Sequence, residues 1–291
     1  MPDLKLQCGG WTASLRPGAG GCIASLRLHG TEILRTMPDA SDNALDAACF
    51  PLVPFCNRIN QGRFSWQKTE VSLPANHPPE PHALHGFGWQ EPWQAVLQTD
   101  WCCVLRHDHA GLGPAPWRKP ISIWPWAYMA EQHIELSPEG LSVRLSVTNR
   151  SNVPMPAGLG LHPYFRRSED TRLRFCSSGM IMVGPDMIPN GDIAASNLSG
   201  DWEHGATLPG DLIDNSFVLW DGKALIEDAA GTIEISASGA PLLHIYAPPD
   251  GKTLCLEPVT HAADAINTEP GDVNCLPPGT TATMEMRITA R

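Results

Sequence analysis

The chain has 291 residues, enough for one large all-β domain or two small ones, with 42% hydrophobic and 18% charged residues. Its formal net charge of −11, without any lysine- or arginine-rich run, argues against nucleic-acid and anionic-membrane partners. No apolar run approaches the roughly 20 residues of a membrane span, and the N-terminus lacks a secretion signal, so we expect a cytoplasmic protein.

Runs in which apolar and polar residues alternate recur along the chain, as expected for strands with one buried face. In chain order, the clearest are Cys22–Leu28, Leu141–Thr148, Thr232–Ser238 and Thr283–Thr289. A short helix could form over Asp42–Ala48. Proline and glycine cluster in Pro74–Pro81 and Gly111–Pro120, which predicts long loops there.

Many alternating strands predict antiparallel sheets packed into a large all-β sandwich or barrel. We find no internal repeat and no shift in composition, so we expect a single domain over residues 1–291. A core of this size needs no disulfide staples. The nine cysteines are scattered without a C-x-x-C motif, which predicts reduced and mostly buried thiols.

The first candidate for chemistry is a histidine in the apolar run Gly158–Phe165. Pro163 disfavours the helical region for His162, so we expect this histidine at an extended strand end, facing a cleft beside Tyr164. Histidine exchanges protons near neutral pH, which makes His162 a candidate proton donor. In isolation, a hydrogen-bonded structural histidine explains this segment more simply.

Glu257 repeats this arrangement, because the apolar run Thr253–Leu256 leads into it and Pro258 follows. A carboxylate that ends a buried strand needs a partner or a role. Together with His162 it supplies one acid and one base, as general acid–base chemistry requires. We expect burial to raise the pKa of Glu257, and we expect the pKa values of both groups to lie within reach of neutral pH.

Two further segments carry candidate binding groups, and one of them has the donors and acceptor that vicinal hydroxyls require. Asn57 and Arg58 follow an apolar run and provide several donors and an acceptor. Asp214 places a carboxylate, a hydrogen-bond acceptor on a short side chain, ahead of a predicted strand. In isolation, a solvated arginine and a turn-forming aspartate explain these positions more simply.

His85 lies in a glycine-flanked turn close to Trp89, one of ten tryptophans in the chain. Aromatic faces stack on the C–H faces of sugars, so this turn is a candidate binding surface. The His82-x-x-His85 spacing also permits a metal site, with His77 as a third ligand.

In this order, the segments resemble the aldose 1-epimerase (galactose mutarotase) family. The matching elements span most of the chain and are Asn57-Arg58-Ile59, Leu84-His85-Gly86, His162-Pro163-Tyr164-Phe165, Asp214 and Glu257. The resemblance implies a large antiparallel β-sandwich of the galactose mutarotase-like supersandwich type. It also implies an open cleft across one sheet, a small sugar as partner, a monomer or homodimer, and no metal or organic cofactor.

By similarity, Glu257 would remove the proton of the anomeric hydroxyl and His162 would protonate the ring oxygen. The open aldehyde would turn about C1–C2, and closure on its other face would give the other anomer. The resemblance implies a substrate-binding set of Asn57, Arg58, His85, Trp89, Tyr164 and Asp214. It leaves the identity of the aldose open.

Three other functions stay open at this point. Arg166 and Arg167 directly follow the matching segment, and a bidentate arginine pair suits a phosphate, so a hexose-6-phosphate 1-epimerase is one alternative. A non-catalytic carbohydrate-binding β-sandwich would share the aromatic and arginine features. A sugar lyase or hydrolase would use carboxylates such as Glu257 and Asp214.

Overall fold

A computed structural model describes residues 3–112, 123–268 and 273–291. Its strands, numbered in chain order, are β1 (Leu4–Cys8), β2 (Trp11–Arg16), β3 (Cys22–Leu28), β4 (Thr31–Leu34), β5 (Cys49–Leu52), β6 (Arg58–Ile59), β7 (Arg63–Trp66), β8 (Thr69–Ser72), β9 (Ala83–Leu84), β10 (Gln94–Gln98), β11 (Cys102–His109), β12 (Tyr128–Ser137), β13 (Gly140–Asn149), β14 (Met155–Ala157), β15 (Gly160–Arg166), β16 (Arg172–Phe175), β17 (Gly179–Val183), β18 (Pro189–Ala194), β19 (Ala206–Thr207), β20 (Ile213–Val218), β21 (Lys223–Asp228), β22 (Gly231–Ser238), β23 (Leu242–Ala247), β24 (Thr253–Val259), β25 (Asn274–Leu276) and β26 (Thr281–Ala290).

Two large sheets dominate the fold. The first has 11 strands in the order β1-β2-β3-β5-β15-β24-β23-β20-β17-β18, with β4 paired to β3. The second has nine strands in the order β10-β11-β12-β13-β26-β22-β21-β16-β19. Three short pairs, β14 with β25, β6 with β9 and β7 with β8, lie outside these sheets. The predicted all-β antiparallel architecture is confirmed.

The main core lies between the two sheets. One cluster of buried side chains joins Leu254 and Leu256 of β24 in the first sheet to Ile134 of β12 and Leu145 of β13 in the second. All four are fully buried. Because side chains alternate along a strand, the neighbours of these leucines must point to the opposite, outer face of the first sheet.

That outer face is unusually polar along four adjacent strands, β15, β24, β23 and β20. The residues that these strands turn toward the core are Leu161, Leu256, Leu243 and Phe217. The residues that alternate with them are His162, Glu257, His244 and Ser216, all of which are buried. A second apolar cluster, which includes Phe50 and Tyr164, packs on this outer side. The four central strands therefore support a functional surface on one face and the core on the other.

His162 and Glu257 lie inside their strands, so the expectation that they end them is wrong. Tyr164 of β15 pairs with Cys255 of β24, and the antiparallel register places His162 opposite Glu257. The ladder is interrupted at this point. The proline that follows each of the two residues has no N–H to donate, so it opens the ladder locally without ending the strand.

The other predicted elements have mixed outcomes. The four alternating runs are strands, but Asp42–Ala48 contains only a 3₁₀ turn over Ala44–Asp46. Asn43 caps this turn through its side chain and Ala47 is already extended, so no α-helix propagates. A second 3₁₀ turn covers Asn60–Gly62, and a single-turn α-helix, α1, covers Ala265–Thr268.

The loop over Pro74–Pro81 is confirmed, whereas most of the loop predicted at Gly111–Pro120 lies outside the described residues. The nine cysteines are all unbridged, and six of them are buried as expected. In the described ranges, no helix combines the length and apolar character that a membrane crossing requires.

Candidate active site

A cleft with a volume of about 390 Å³ opens on the outer face of the central strands. Pockets of a few hundred Å³ are typical of small-molecule sites. The predicted site residues that line it are Asn57, Arg58, His85, His162, Tyr164, Asp214 and Glu257. The cleft thus brings together residues that lie up to 200 positions apart in the chain.

The floor of the cleft holds the acid–base candidates in direct contact. His162 Nε2 lies 3.2 Å from Glu257 Oε1, and both side chains are almost fully buried. Among the described residues, His162 Nδ1 and Glu257 Oε2 are buried atoms without a hydrogen-bond partner. A buried polar atom without a partner costs about 1–3 kcal/mol, so the free Glu257 oxygen is a ready acceptor for a hydroxyl group.

Burial separates the proton affinities of these two groups. It lowers the pKa of His162 to about 3, and the electrostatic effects of His244 and Arg35 act in the same direction. It raises the pKa of Glu257 to about 8. The prediction that burial raises the pKa of Glu257 is confirmed. The prediction that the pKa of His162 lies within reach of neutral pH is wrong, because burial removes the hydration that stabilises the charged imidazolium. Between these values the pair holds one proton, which belongs to both groups together.

Aromatic rings fix the orientation of the His162 imidazole. It lies nearly parallel to Phe50, with ring centroids 4.6 Å apart, and to Tyr164, at 4.5 Å. The ring of His85 meets it edge-on at 5.4 Å. The guanidinium of Arg35 covers Tyr164, 3.4 Å from the ring centroid. These contacts leave the imidazole little freedom to rotate away from Glu257.

One wall of the cleft is built where β6 meets β9, because Arg58 pairs there with Leu84. This pairing brings the residues that flank the two short strands together. Asn57 N–H donates to His85 Nδ1 at 3.0 Å. Burial lowers the pKa of His85 well below its usual value, so the ring is neutral. A neutral ring that accepts at Nδ1 carries its hydrogen on Nε2, where it can serve as a donor.

Arg58 is held between two carboxylates. Its Nε and Nη2 donate to Glu80 at 2.8 and 3.0 Å, and Nη2 also lies 3.1 Å from Asp214 Oδ2. Burial works against the charge, but Glu80 and Asp214 raise the pKa of Arg58 overall. Asn57 Oδ1 accepts from the backbone N–H of Arg58 at 2.8 Å. The guanidinium is therefore charged and rigidly aimed.

Asp214 also contacts a second buried histidine. His244 Nε2 lies 2.9 Å from Asp214 Oδ1, and His244 Nδ1 lies 3.0 Å from Ser216 Oγ. Burial favours the protonated carboxyl, but the hydrogen bond from His244 and the charge of Arg58 lower the pKa of Asp214 to about 2. Asp214 is accordingly an ionised acceptor at neutral pH.

Trp89 does not line the cleft, so its predicted role as a sugar platform is not supported by its position. It is 4% exposed and packs against Phe50 with ring centroids 5.8 Å apart. Its indole N–H donates to the carbonyls of Leu84 and Gly86 at 3.2 and 3.1 Å. Trp89 therefore supports the turn that carries His85.

The His82-x-x-His85 metal alternative is also not formed. His82 Nδ1 accepts from Gln61 N–H at 3.1 Å, away from the cleft-lining ring of His85. A different group has ligand spacing: one ring nitrogen each of His85 and His162 and one oxygen of Glu257 lie within 4.8 Å of one another. That spacing admits a divalent cation as well as a hydroxyl.

Arg166 and Arg167 lie outside the described lining of the cleft. The side chain of Arg166 is 69% exposed and pairs with Glu32 at 2.6 Å. Arg167 donates to the carbonyl of Pro248 at 2.7 Å. The two side chains therefore do not form a forked anion site in the cleft.

Sequence reasoning missed several residues of the cleft, chiefly Arg35, Glu80 and His244. Glu80 lies in a loop, where a charged residue is ordinarily solvated. His244 carried a signal that could have been used, because it interrupts the apolar run Leu242–Ala247 as Glu257 interrupts its own strand. Arg35 follows a strand without any flanking motif.

Comparison with known proteins assigns the chain to a family. A sequence model of the family described as aldose 1-epimerase matches residues 6–289. The uncharacterised protein YphB of Escherichia coli (strain K12) is 34% identical over 280 residues, which cover 92% of each protein. The crystal structure of a candidate aldose 1-epimerase from Escherichia coli K12 has a TM-score of 0.88 at 32% identity, covering 100% of this chain and 99% of that one.

The crystal structure of a galactose mutarotase-like protein from Clostridium acetobutylicum has a TM-score of 0.85 at 22% identity, and covers 99% of this chain and 95% of that one. At this identity, the likeness concerns the fold. Together with the two sheets described above, it confirms the expected galactose mutarotase-like β-sandwich. Fold alone does not define the chemistry, which depends on the residues of the cleft.

Proposed function

This chain belongs to the aldose 1-epimerase family, and we propose that it interconverts the α and β anomers of an aldose by opening and reclosing the sugar ring. The observation that carries this proposal is the buried contact of 3.2 Å between His162 Nε2 and Glu257 Oε1 at the floor of the cleft. Ring opening removes a proton from O1 and delivers a proton to O5. A histidine–glutamate pair that holds a single proton can do both.

The proposed ring opening starts with the proton of the pair on His162. Glu257 takes the proton of the O1 hydroxyl, the electrons of that O–H bond form the C1=O1 carbonyl, and the C1–O5 bond breaks. O5 receives the proton from His162 Nε2. After rotation about C1–C2, neutral His162 takes the proton back from O5 as O5 attacks C1, and Glu257 returns a proton to O1.

The pKa values of the pair fit this cycle. With the pKa of His162 lowered to about 3 and that of Glu257 raised to about 8, the resting proton lies on Glu257. With the proton on Glu257, the pair can close the ring. With the proton on His162, it can open the ring. No proton from bulk water is needed within a turnover, because acid and base exchange roles.

Three neighbouring groups serve the remaining hydroxyls. Asp214 is an ionised acceptor and His85 offers an Nε2–H donor. The side-chain N–H groups of Arg58 already donate to Glu80, Asp214 and Asn57, so Arg58 holds Asp214 in place for the sugar. All three line the cleft beside the pair. Because Arg166 and Arg167 lie away from it, we propose an unphosphorylated aldose in preference to a hexose 6-phosphate.

The test is anomer interconversion followed by polarimetry or NMR, across a panel of aldoses and their 6-phosphates. We expect Glu257→Gln and His162→Asn each to slow the reaction by about 10²–10⁴-fold, the usual contribution of one acid or base. The exposed Arg166→Gln is the matched control and should leave the rates on neutral sugars unchanged. We expect the rate to fall as pH rises through about 8, where the pair loses its proton.

The outcomes separate the alternatives. A wild-type rate no higher than that of the spontaneous reaction would leave a non-catalytic sugar-binding protein. Wild-type rates in both variants would mean that His162 and Glu257 do not carry the chemistry. Conversion of 6-phosphates alone would favour the hexose-6-phosphate 1-epimerase. Mutarotation leaves the mass of the sugar unchanged, so a product of altered mass would reveal a lyase or hydrolase.

A further inference from the structure

One buried histidine in the cleft takes no part in the steps described above. His244 lies on β23 and pairs directly with Glu257 on β24. Side chains of directly paired residues share one face of the sheet, with Cβ atoms about 5 Å apart. His244 is 5% exposed and lines the cleft. Its ring therefore lies beside the group that we propose as the base.

We propose that His244 is a positioning residue: held by Asp214 and Ser216, it carries a positive charge beside Glu257 and so keeps that carboxyl able to ionise in its buried site. This inference rests on the proposed function, because it assigns a role to His244 in the same reaction. The residue acts on the sugar through Glu257 and Asp214.

The hydrogen bonds of His244 fit the protonated ring. Nε2–H donates to Asp214 Oδ1 at 2.9 Å. Nδ1 lies 3.0 Å from Ser216 Oγ, whose oxygen can accept the second N–H. A ring with an acceptor at each nitrogen can hold both hydrogens. The bond to an ionised carboxylate is the stronger kind, because it is charge-assisted.

The titratable and charged groups that face His244 come from four strands and one turn. They are Asp214 on β20, Glu257 on β24, Arg58 on β6, His162 on β15 and the neutral His85 after β9. Asp214 opposes the permanent charge of Arg58, and Glu257 adds a second negative charge whenever it ionises. In agreement with this balance, burial alone would lower the pKa of His244, but Glu257 and Asp214 raise it overall.

The preceding loop supplies one neutral contact. The side-chain amide nitrogen of Asn57 lies 3.3 and 3.4 Å from the two ring nitrogens of His244. An amide nitrogen only donates, so it makes no hydrogen bond to a ring whose two nitrogens both carry hydrogens, and this contact is one of packing alone.

Loss of the charge on His244 has a definite direction. A nearby cation lowers the pKa of Glu257 and also that of His162. Without that cation, both groups bind their protons more tightly. The pH range in which the pair holds a single proton then moves to higher pH. A single charge at this spacing in a buried site shifts a pKa by about one unit or more.

His244→Gln is the informative variant, because glutamine can still bond to Asp214 and Ser216 but carries no charge. We expect both limbs of the pH–rate profile to move up by about one pH unit or more. His107→Gln, a buried histidine outside the described lining of the cleft, is the matched control and should leave the profile in place. An unshifted His244→Gln profile would overturn the proposal.

A second readout does not depend on turnover. Carbon-13 NMR of glutamate labelled at the side-chain carboxyl follows the titration of Glu257, which the Glu257→Gln spectrum assigns. Its midpoint should be higher in His244→Gln than in the wild type. Carbon-13 shifts of the histidine ring should show His244 protonated at pH 6 in the wild type, and a neutral ring there would overturn the proposal even if the variant fails to fold.

The two readouts keep this inference apart from the proposed function. If the wild type converts no sugar but the Glu257 midpoint still moves in His244→Gln, the reaction is wrong and the electrostatic coupling stands. If the sugar is converted and the midpoint does not move, the coupling is wrong and the reaction stands.

Discussion

Arg58 shows how single residues are prepared for binding in this cleft. It donates two hydrogen bonds to Glu80 and two more to Asp214. Its side chain is 10% exposed. The planar fork of a guanidinium fits such paired carboxylates, which the single ammonium of lysine cannot match. The forked hydrogen bonding of Arg58 therefore orients the Asp214 carboxylate toward the cleft.

Arg58→Lys keeps the charge and removes that geometry. Complete loss of one partner of a buried charge pair costs about 2–5 kcal/mol. Lysine only weakens the pair, so we expect the KM for the aldose to rise about tenfold or more, with a smaller effect on kcat. Steady-state kinetics of anomer interconversion provide the measurement. Arg166→Lys, at a side chain that is 69% exposed, is the control. An unchanged KM in Arg58→Lys would mean that a lysine ammonium orients Asp214 as well as the guanidinium does.

At the scale of elements, the turn after β9 positions the donor His85 together with Trp89, which packs behind it. Gly86 has φ +71°, and a Cβ at this position would lie 2.0 Å from the carbonyl oxygen of Val53. Its own carbonyl accepts from Trp89 Nε1 and Asn76 Nδ2. The close approach of this turn to the preceding loop thus requires glycine and fixes the position of His85.

Gly86→Ala should strain this turn. We expect a loss of about 1–3 kcal/mol in the free energy of unfolding, the usual cost of an unfavourable backbone conformation, and a higher KM because His85 is displaced. Urea unfolding and steady-state kinetics measure the two effects. Gly18→Ala, where a Cβ meets nothing within 4 Å, is the matched control. Equal stability of the two variants would show that the turn relaxes freely.

At the scale of the whole molecule, the cleft is built at the expense of stability. Glu257 is 1% exposed in the middle of the larger sheet, and its pKa is raised from 4.5 to about 8. A raised folded pKa stabilises the fold below the unfolded value of 4.5. This contribution is lost as pH rises to about 8, because the unfolded carboxyl ionises above 4.5 while the buried one keeps its proton; above about 8 the folded state holds a buried negative charge.

Glu257→Gln removes this penalty, so the variant should gain stability over the wild type as pH increases from about 5 to 8, by up to a few kcal/mol. Urea unfolding at a series of pH values measures the difference. Glu203→Gln, at an exposed position, is the control and should give a difference that stays nearly constant. A flat Glu257→Gln difference would mean that the folded protein solvates this carboxylate well.

Much of the molecule follows from the sequence alone. Alternation with period two is a local property, and it predicted strands with one buried face and their assembly into antiparallel sheets. The unusual placement of His162 and Glu257 in apolar strands pointed to an acid–base pair. The same local logic predicted that burial raises the pKa of Glu257.

The tertiary structure decided what local patterns cannot encode. The register between β15 and β24 sets His162 opposite Glu257, and that between β23 and β24 sets His244 beside it. Packing buried Trp89 behind the His85 turn and left Arg166 in solvent. Alternation fixes only which face a side chain takes. Its neighbours and its pKa depend on strands that are distant in sequence, because charge and burial act across the sheet.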